Sequence, residues 1–195
     1  MIPAERYVAH KEEDYEGWLA ARRHGVTATQ VANASTPAGF EKAVADYVLD
    51  YREADNDYMR FGRDWESYIA QHGLEWFSLE PNEWLIRGDD PRHLATPDAI
   101  GVDAIGEYKT TGKDWGTVEK LPLRYKRQVQ WQLHVTGYDV CVVAWLLRKT
   151  VDTEDGPVMV PAWFEPKTGW VERDQKMINQ LVKTAEALWK EVNNG

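Results

Sequence analysis

Two short strands and the turn between them are predicted by the stretch TPDAIGVDAIGEYK, residues 96–109. Apolar residues such as Ile100 and Ile105 indicate strands that are partly buried. Because side chains alternate along a strand, Glu107 and Lys109 project from the same face. A short turn brings Asp98 back beside them. The stretch therefore predicts two carboxylates and one ammonium group that converge at a partly buried hairpin.

This group of charges is typical of metal-dependent phosphodiester hydrolysis. Two carboxylates at one site repel each other unless a cation joins them, and their hard oxygen atoms suit Mg²⁺. Lys109 is then left to act on water or on phosphate. The alternative is a chance pattern on a solvated hairpin, since Asp, Glu and Lys are common residues. The apolar flanks favour catalysis, because charges inside such a hairpin need a partner or a metal.

The length and composition of the chain predict one globular domain, residues 1–195. It has 43% hydrophobic residues and ten tryptophans, and it carries no internal repeat or obvious linker. No apolar run reaches the length of a membrane span, and the N-terminus lacks an apolar signal region. We therefore expect a cytoplasmic protein without a membrane partner. The single cysteine, Cys141, excludes a disulfide framework within the monomer.

Charge is unevenly distributed along the chain. The net charge is −9, but residues 108–149 carry eight Lys or Arg and three Asp or Glu, a net of +5. Phosphate binding needs a locally positive surface rather than a positive protein. The alternative is that these cations decorate a solvated helix. The cations in question include Lys113, Lys120, Arg124, Lys126 and Arg127.

The periodicity of apolar residues predicts an α/β sandwich around a mixed sheet. Helices are predicted at residues 14–24, from residue 27, at 40–53, 58–72 and 123–135, and at the C-terminus. Strands are predicted at residues 74–79, 83–87, 93–98, 104–109, 140–147 and 158–164. Gly73 is read as the stop of the fourth helix, and residues 74–109 as a mostly antiparallel meander.

Four sequence blocks, in this order, resemble the YqaJ-type viral recombinases, the lambda-exonuclease-like branch of the PD-(D/E)XK nucleases. They are WLAARRHGVTAT (18–29), FGRDWE (61–66), TPD through GEYKT (96–110) and YKRQVQWQL with VTG (125–137). Each block is weak alone, but their shared order and spacing make coincidence improbable. The resemblance implies an α/β fold with a restriction-endonuclease-like core, in which helices flank a central mixed β-sheet.

The resemblance also implies roles for the acidic residues. Asp98 and Glu107 would be metal ligands, with the backbone carbonyl of Tyr108 as a third. Glu66 would complete the acidic cluster through metal-bound water, and Lys109 would contact the attacking water or the scissile phosphate. The implied cofactor is Mg²⁺, for which Mn²⁺ could substitute. A surface ion pair between Glu66 and Arg63 is the alternative.

Three further residues match positions with known roles in the family. Gln128 would orient water or the lysine, whereas Arg23 and Thr29 would hold a DNA 5′-phosphate. One residue is missing between Val26 and Thr27 relative to the usual block, so the arginine match can shift to Arg22. As alternatives, Gln128 and Gln132 are ordinary polar positions, and Thr27 and Thr29 only cap a helix.

The implied activity is that of a phage recombination exonuclease. Such an enzyme degrades the 5′-ended strand of double-stranded DNA and leaves 3′ single-stranded tails for an annealing protein. Some family members form trimeric rings around DNA and others differ, so the resemblance allows a homo-oligomer such as a trimeric ring but does not fix the oligomeric state. The alternatives are a PD-(D/E)XK endonuclease and a weakly catalytic protein that binds DNA ends. No nucleotide-binding G-x-x-x-x-G-K-[ST] motif occurs, and Cys and His are too few for zinc or iron–sulfur sites.

Overall fold

The computed structural model describes residues 2–49 and 54–194, which form two mixed sheets flanked by helices. Within these residues the α-helices are α1 Tyr15–Arg22, α2 Ala28–Ala34, α3 Pro37–Val48, α4 Asp57–Phe77, α5 Leu123–Thr136 and α6 Gln175–Asn194. The strands are β1 Tyr7–His10, β2 Val26–Thr27, β3 Glu80–Pro81, β4 Trp84–Arg87, β5 His93–Ala95, β6 Ala99–Ile100, β7 Ile105–Thr111, β8 Val140–Thr153, β9 Gly156–Pro161 and β10 Lys167–Glu172. None of the helices in this part of the chain is long and apolar enough to cross a membrane.

The larger sheet carries the hairpin predicted at residues 96–109. Its strand order is β10-β8-β7-β6-β3, and β9 pairs with the distal half of β8. β6 and β7 are antiparallel, whereas β7 and β8 are parallel. A parallel pair needs a long crossover connection, and α5 supplies it here. The sheet is therefore mixed, and α5 lies across the face on which Glu107 projects.

The smaller sheet has the order β1-β4-β5-β2, with β2 and β5 parallel and the other pairs antiparallel. The chain passes from this sheet to the larger one between β5 and β6, through Pro97 and Asp98. Asn82 fixes that passage, because its side-chain Nδ2 donates to the Pro97 carbonyl at 2.8 Å and its backbone N–H to the Asp98 carbonyl at 2.9 Å. The crossing is thus held by buried hydrogen bonds immediately beside the predicted charges.

Most predicted helices are confirmed, but the strand predicted at residues 74–79 is wrong. Helix α4 continues through Gly73 to Phe77. A Cβ atom added at Gly73 would lie 2.1 Å from the hydroxyl oxygen of Tyr108. Glycine is therefore needed here for the close approach of α4 to β7, not to end the helix.

Three other expectations need correction. The predicted meander is divided between the two sheets, since β4 and β5 belong to the smaller one. The third helix begins earlier than predicted, at Pro37, and the last predicted residues, 50–53, which include Tyr51, lie outside the described residues. β10 was not predicted, and β8 extends to Thr153 because it forms a hairpin with β9. β10 alternates between half-buried and exposed residues, and the distal part of β8 is exposed throughout, so the apolar pattern of both is too weak to predict a strand.

Candidate active site

Strand β7 places Glu107 and Lys109 on one face, as their spacing predicts. Glu107 is only 1% exposed, although its side chain carries a carboxyl group. The Nζ atom of Lys109 contacts the Oε1 atom of Glu107. Burial alone would lower the pKa of Lys109, but the carboxylates of Glu107 and Asp98 outweigh that effect and raise it. The lysine therefore serves as an ammonium group that neutralises buried negative charge.

Asp98 is held against the same strand by the backbone. Its N–H donates to the Gly106 carbonyl at 3.0 Å, and its Oδ2 accepts from the N–H of Tyr108 at 2.6 Å. Burial, followed by the charge of Glu107, raises the pKa of Asp98 well above its ordinary value. The structure thus brings Asp98, Glu107 and Lys109 together, and we call this group the carboxylate centre.

The backbone carbonyl of Tyr108 lies on the edge of β7 that faces Asp98. Within a strand, the N–H and C=O of one residue point to the same side. The N–H of Tyr108 is directed to Asp98, and β6 pairs with β7 only at Ile105 and Gly106. The Tyr108 carbonyl is therefore beyond the end of β6, beside the Asp98 carboxylate.

Two glutamines of α5 hold the two oxygen atoms of Glu107. Gln128 Nε2 donates to Oε1 at 2.6 Å, and Gln132 Nε2 donates to Oε2 at 2.6 Å. Residues four apart share one face of a helix, so both amides reach one carboxylate. Gln128 thus contacts Glu107 rather than only water or lysine, and neither glutamine is an ordinary polar position. The contact of Gln132 was missed, although its i, i+4 spacing from Gln128 could have indicated it.

The aromatic ring of Tyr125 lies between two cations at the start of α5. Lys109 Nζ is 5.6 Å from its ring centroid, and the Arg124 guanidinium carbon is 4.7 Å from it. Arg124 also donates to the Tyr125 hydroxyl at 2.9 Å. Cation–π attraction over the ring adds a second contact to Lys109 besides Glu107.

Glu66 of α4 lies at the margin of the carboxylate centre. It is half-buried and lines a groove of about 320 Å³ together with Tyr108 and Lys109. Burial raises its pKa, while the nearby Lys11 acts in the opposite direction. Arg63 instead forms paired hydrogen bonds with Asp55, at 2.9 and 2.7 Å. The geometry favours membership of the acidic cluster over a surface ion pair with Arg63.

The donor set of the carboxylate centre fits a hard divalent cation. In residues 2–49 and 54–194, no three His, Cys, Asp or Glu side chains are arranged as a ready metal-binding group. The donors are nevertheless the oxygen atoms that Mg²⁺ prefers. Burial raises the pKa values of both Asp98 and Glu66, and at Asp98 the charge of Glu107 is the next cause, which marks negative charge that a cation would neutralise. Asp98, Glu107 and the Tyr108 carbonyl are the groups that would hold it.

A separate cavity of about 1040 Å³ lies between α1, α2, α3 and the start of α5. Both Arg23 and Thr29 line it, and both are exposed. Arg124 and Arg127 of α5 line the same cavity, because α2 packs against α5. We call it the arginine cavity. Its cations come from two distant parts of the sequence. Counting charges along the chain could not show that Arg124 and Arg127 of α5 line the same cavity as Arg23.

Arg22 and Arg23 both line the arginine cavity, but they differ in their surroundings. The Arg22 guanidinium lies 4.4 Å from the ring centroid of Trp18, and burial lowers its pKa. The Arg23 side chain is exposed, and its backbone carbonyl accepts a hydrogen bond from the Tyr47 hydroxyl at 2.5 Å. The fold therefore gives Arg22 a packing role and leaves the Arg23 side chain facing solvent.

The first turn of α2 is capped by its own side chains. The backbone N–H and the hydroxyl of Thr27 both donate to Gln30 Oε1, each at 2.8 Å. Thr27 is the N-cap residue, and Thr29 is not. This confirms the capping alternative for Thr27 and leaves the hydroxyl of Thr29 at the cavity wall.

Comparison with known proteins agrees with this architecture. Residues 17–139, more than half of the chain, match the model of the YqaJ-like viral recombinase domain. No curated protein matches the chain.

Three solved structures described as exonucleases have a similar fold. LHK-Exo in complex with dAMP is 22% identical with a TM-score of 0.72, and the match covers 92% of this chain and 93% of that one. The alkaline exonuclease LHK-Exo from Laribacter hongkongensis is 21% identical with a TM-score of 0.71, over 92% and 93% of the two chains. A phage-related exonuclease from Haemophilus somnus 129PT is 14% identical with a TM-score of 0.67, over 87% and 94%. These likenesses show a PD-(D/E)XK-like fold, and the domain match shows that the chain belongs to the YqaJ-like viral recombinase family.

Proposed function

We propose that this protein is a metal-dependent exonuclease of phage recombination, acting on the ends of double-stranded DNA. The observation that carries the proposal is the carboxylate centre, with Asp98, Glu107 and Lys109 in mutual contact or charge interaction beside a groove. Membership of a viral recombinase family and a fold shared with exonucleases support a nuclease of this class. We further propose that residues 1–195 form one nuclease domain.

The residues of the carboxylate centre would divide the chemistry among them. A bound Mg²⁺, for which Mn²⁺ could substitute, would polarise the phosphate and lower the pKa of water. Asp98, Glu107 and the Tyr108 carbonyl would bind it, and Glu66 would orient water at the margin. The Lys109 ammonium would donate hydrogen bonds to the phosphate oxygen atoms on which negative charge develops.

The arginine cavity would select the DNA end. A terminal phosphate carries more charge than an internal one, and a guanidinium can form paired hydrogen bonds with its oxygen atoms. We assign that contact to Arg23, with the Thr29 hydroxyl as a further donor. Binding a 5′-phosphate there would set the direction of degradation, so that the 5′-ended strand is removed and a 3′ tail remains.

Partners and location follow from the family. A single-strand annealing protein would receive the 3′ tail, and a trimeric ring of identical chains would enclose the duplex. The host-cell cytoplasm is the expected place of action. These three points rest on the resemblance and stay predictions.

Digestion of one plasmid in closed circular and linear forms tests the proposal. With Mg²⁺, the protein should degrade the linear form and leave the closed circle intact, and EDTA should abolish the reaction. Cutting of the closed circle would instead identify an endonuclease. Retention of linear DNA without its degradation would identify an end-binding protein.

A further inference from the structure

We propose that Gln132 is a positioning residue that fixes the orientation of the Glu107 carboxylate. The inference rests on the proposed metal-dependent function and adds a residue to it. Gln132 is 1% exposed and donates to Glu107 Oε2 at 2.6 Å. Gln128 and Lys109 both contact the other oxygen, Oε1. Gln132 is thus the contact that distinguishes one carboxylate oxygen from the other.

The direction of this hydrogen bond follows from chemistry. An ionised carboxylate only accepts hydrogen bonds, so the amide must present its Nε2 atom to Glu107. With donors on both oxygen atoms, the plane of the carboxylate cannot rotate about its last torsion without breaking one contact. Glu107 is thereby held in one orientation before any cation or substrate arrives.

The oxygen atom of the same amide shows that the contact with Glu107 is made at the expense of stability. Gln132 Oε1 is buried without a hydrogen-bond partner in the described part of the chain. An unsatisfied buried acceptor is destabilising, and an apolar side chain of equal size would avoid it. Within residues 2–49 and 54–194, this side-chain amide makes no hydrogen bond to the backbone that would explain its presence. The Nε2 contact with Glu107 is the gain that offsets the unpaired oxygen.

Gln130, two residues earlier on the same helix, provides a matched control. It is also buried, at 3% exposure. Its Nε2 donates to the Glu172 carbonyl at 2.7 Å, and its Oε1 accepts from the Asp174 N–H at 2.7 Å. Both ends are therefore used to join α5 to the end of β10 and to the turn before α6. Gln130 stabilises the fold, whereas Gln132 acts on Glu107.

Substituting a residue that hydrogen-bonds to a metal ligand commonly lowers metal affinity by 10- to 100-fold. We therefore expect Gln132→Met to raise the Mn²⁺ dissociation constant of the DNA-free protein at least tenfold. Methionine keeps the volume of glutamine and removes the donor. The measurement is a calorimetric titration of Mn²⁺ alone into the full chain, and Gln130→Met should stay within twofold of wild type.

Turnover supplies the second measurement. At a fixed Mg²⁺ concentration, Gln132→Met should lower kcat on linear duplex at least tenfold, while KM for DNA ends stays within twofold. A merely structural role would lower the melting temperature and leave the Mn²⁺ dissociation constant unchanged. Gln132→Asn, which keeps the amide but is one methylene too short, should reproduce the metal defect if the methionine variant does not fold.

The outcomes separate this inference from the proposed function. If wild type hydrolyses DNA with Mg²⁺ but both Gln132 variants retain its Mn²⁺ affinity and kcat, only the positioning role of Gln132 is overturned. Equal loss of Mn²⁺ affinity in Gln130→Met and Gln132→Met would overturn it too, because the effect would then be general to α5. A wild-type protein that neither binds Mn²⁺ nor cleaves DNA would overturn the proposed function together with it.

Discussion

The carboxylate centre and the arginine cavity use helix α5 in opposite ways. At the centre, Gln128 and Gln132 meet a carboxylate that is 1% exposed, and both of its oxygen atoms have donors within the fold. In the cavity, one turn earlier, Arg124 and Arg127 border an open volume of about 1040 Å³. The carboxylate is enclosed by donors of the fold, whereas the arginines border a space large enough to admit a ligand. The two regions should therefore fail in different ways when they are altered.

The largest effect should come from removing Lys109. Lys109→Ala deletes the ammonium that contacts Glu107, and loss of one preorganised donor costs about 100- to 1000-fold in rate. We expect hydrolysis of linear duplex to fall by at least two orders of magnitude. The measurement is single-turnover degradation with Mg²⁺, with circular dichroism as the control for folding. Substantial activity in the folded variant would remove Lys109 from the carboxylate centre.

A smaller loss of rate is expected at the margin of the centre. Glu66→Gln keeps the shape of the side chain and removes its charge, so turnover should fall about 10- to 100-fold. Unfolding in urea should shift by no more than about 0.5 kcal/mol, because the side chain is only half-buried and the change keeps its shape. Glu75, on the exposed side of the same helix, is the matched control as Glu75→Gln. Wild-type turnover in Glu66→Gln would place Glu66 outside the acidic cluster.

Substitutions in the arginine cavity should change the preference for one kind of DNA end over another rather than the maximal rate of hydrolysis. Arg23→Ala should lose most of the discrimination between 5′-phosphate and 5′-hydroxyl ends, about 10- to 100-fold, because a charge-assisted hydrogen bond contributes roughly 1.5–3 kcal/mol. Slow hydrolysis of both ends should remain. Parallel digestion of the two linear duplexes measures this.

Arg22→Ala is the control for the assignment of Arg23. Since Arg22 packs on Trp18, its loss should destabilise α1 more than it alters end preference. If Arg22→Ala abolishes the preference and Arg23→Ala does not, the cavity is correct but the contacting arginine is Arg22. Equal degradation of both ends by wild type would exclude a phosphate site in the cavity.

On α5, the salt dependence of DNA-end binding should distinguish the arginines that line the arginine cavity from the neighbouring Lys126. Reversing Arg124 and Arg127 to Glu should weaken end binding and reduce its dependence on salt, because fewer counterions are released. Lys126 lies between them but donates to the Glu119 carbonyl at 2.6 Å and does not line the cavity. Lys126→Glu should therefore have the smaller effect. An affinity that is flat between low and moderate salt in wild type would contradict a basic cavity for DNA.

The smallest effect concerns stability near neutral pH, at a histidine pair that belongs to neither region. His134, near the end of α5, lies 3.0 Å from His93 between ring nitrogens. Burial, followed by the charge of His93, lowers the pKa of His134 to about 4, and burial also lowers the pKa of His93. Other charged groups that face His134 are Arg6, Asp89 and Arg173.

The sign of this effect follows from proton binding. Unfolded histidine, with a pKa near 6.5, binds a proton between about pH 6.5 and 4, where the folded His134 does not. The contribution of His134 to the free energy of unfolding is therefore fully present above pH 6.5 and is lost as the pH falls towards 4. Between pH 7 and 5.5 the loss is on the order of 1 kcal/mol. Urea unfolding at both pH values should show this loss in wild type and a smaller one in His134→Gln. The same loss in both proteins would assign the pH dependence to other groups.

The sequence predicts local patterns of this molecule better than it predicts how distant segments meet. The two-residue period of β7 and the turn before it predicted the convergence of Asp98, Glu107 and Lys109, because hairpins are local. Gly73 was misinterpreted as a helix stop, since its cause is a contact with Tyr108 that no local pattern encodes. The meeting of Arg124 and Arg127 with Arg23 depends in the same way on the packing of α2 against α5.

The resemblance supplied what local patterns did not, but it did not supply everything. It identified Gln128 and Glu66 as candidate site residues, and the structure brings both to the carboxylate centre. Gln132 lay outside the matched roles, although it is the more deeply buried of the two glutamines on Glu107. The helical spacing from Gln128 indicates that both amides share a face, but the burial of Glu107, which demands a donor for each oxygen atom, is evident only from the fold.

The central claim is that hydrolysis depends on the carboxylate centre and end binding on the arginine cavity. The affinity of Lys109→Ala for a DNA end tests it most directly. The measurement is the dissociation constant for a duplex with a 5′-phosphate, taken with Ca²⁺ so that neither protein hydrolyses it. The variant should bind within threefold of wild type while its Mg²⁺-dependent hydrolysis is lost, because the arginine cavity does not contain Lys109. Loss of end binding in step with hydrolysis, in a folded variant, would contradict the separation of the carboxylate centre from the arginine cavity.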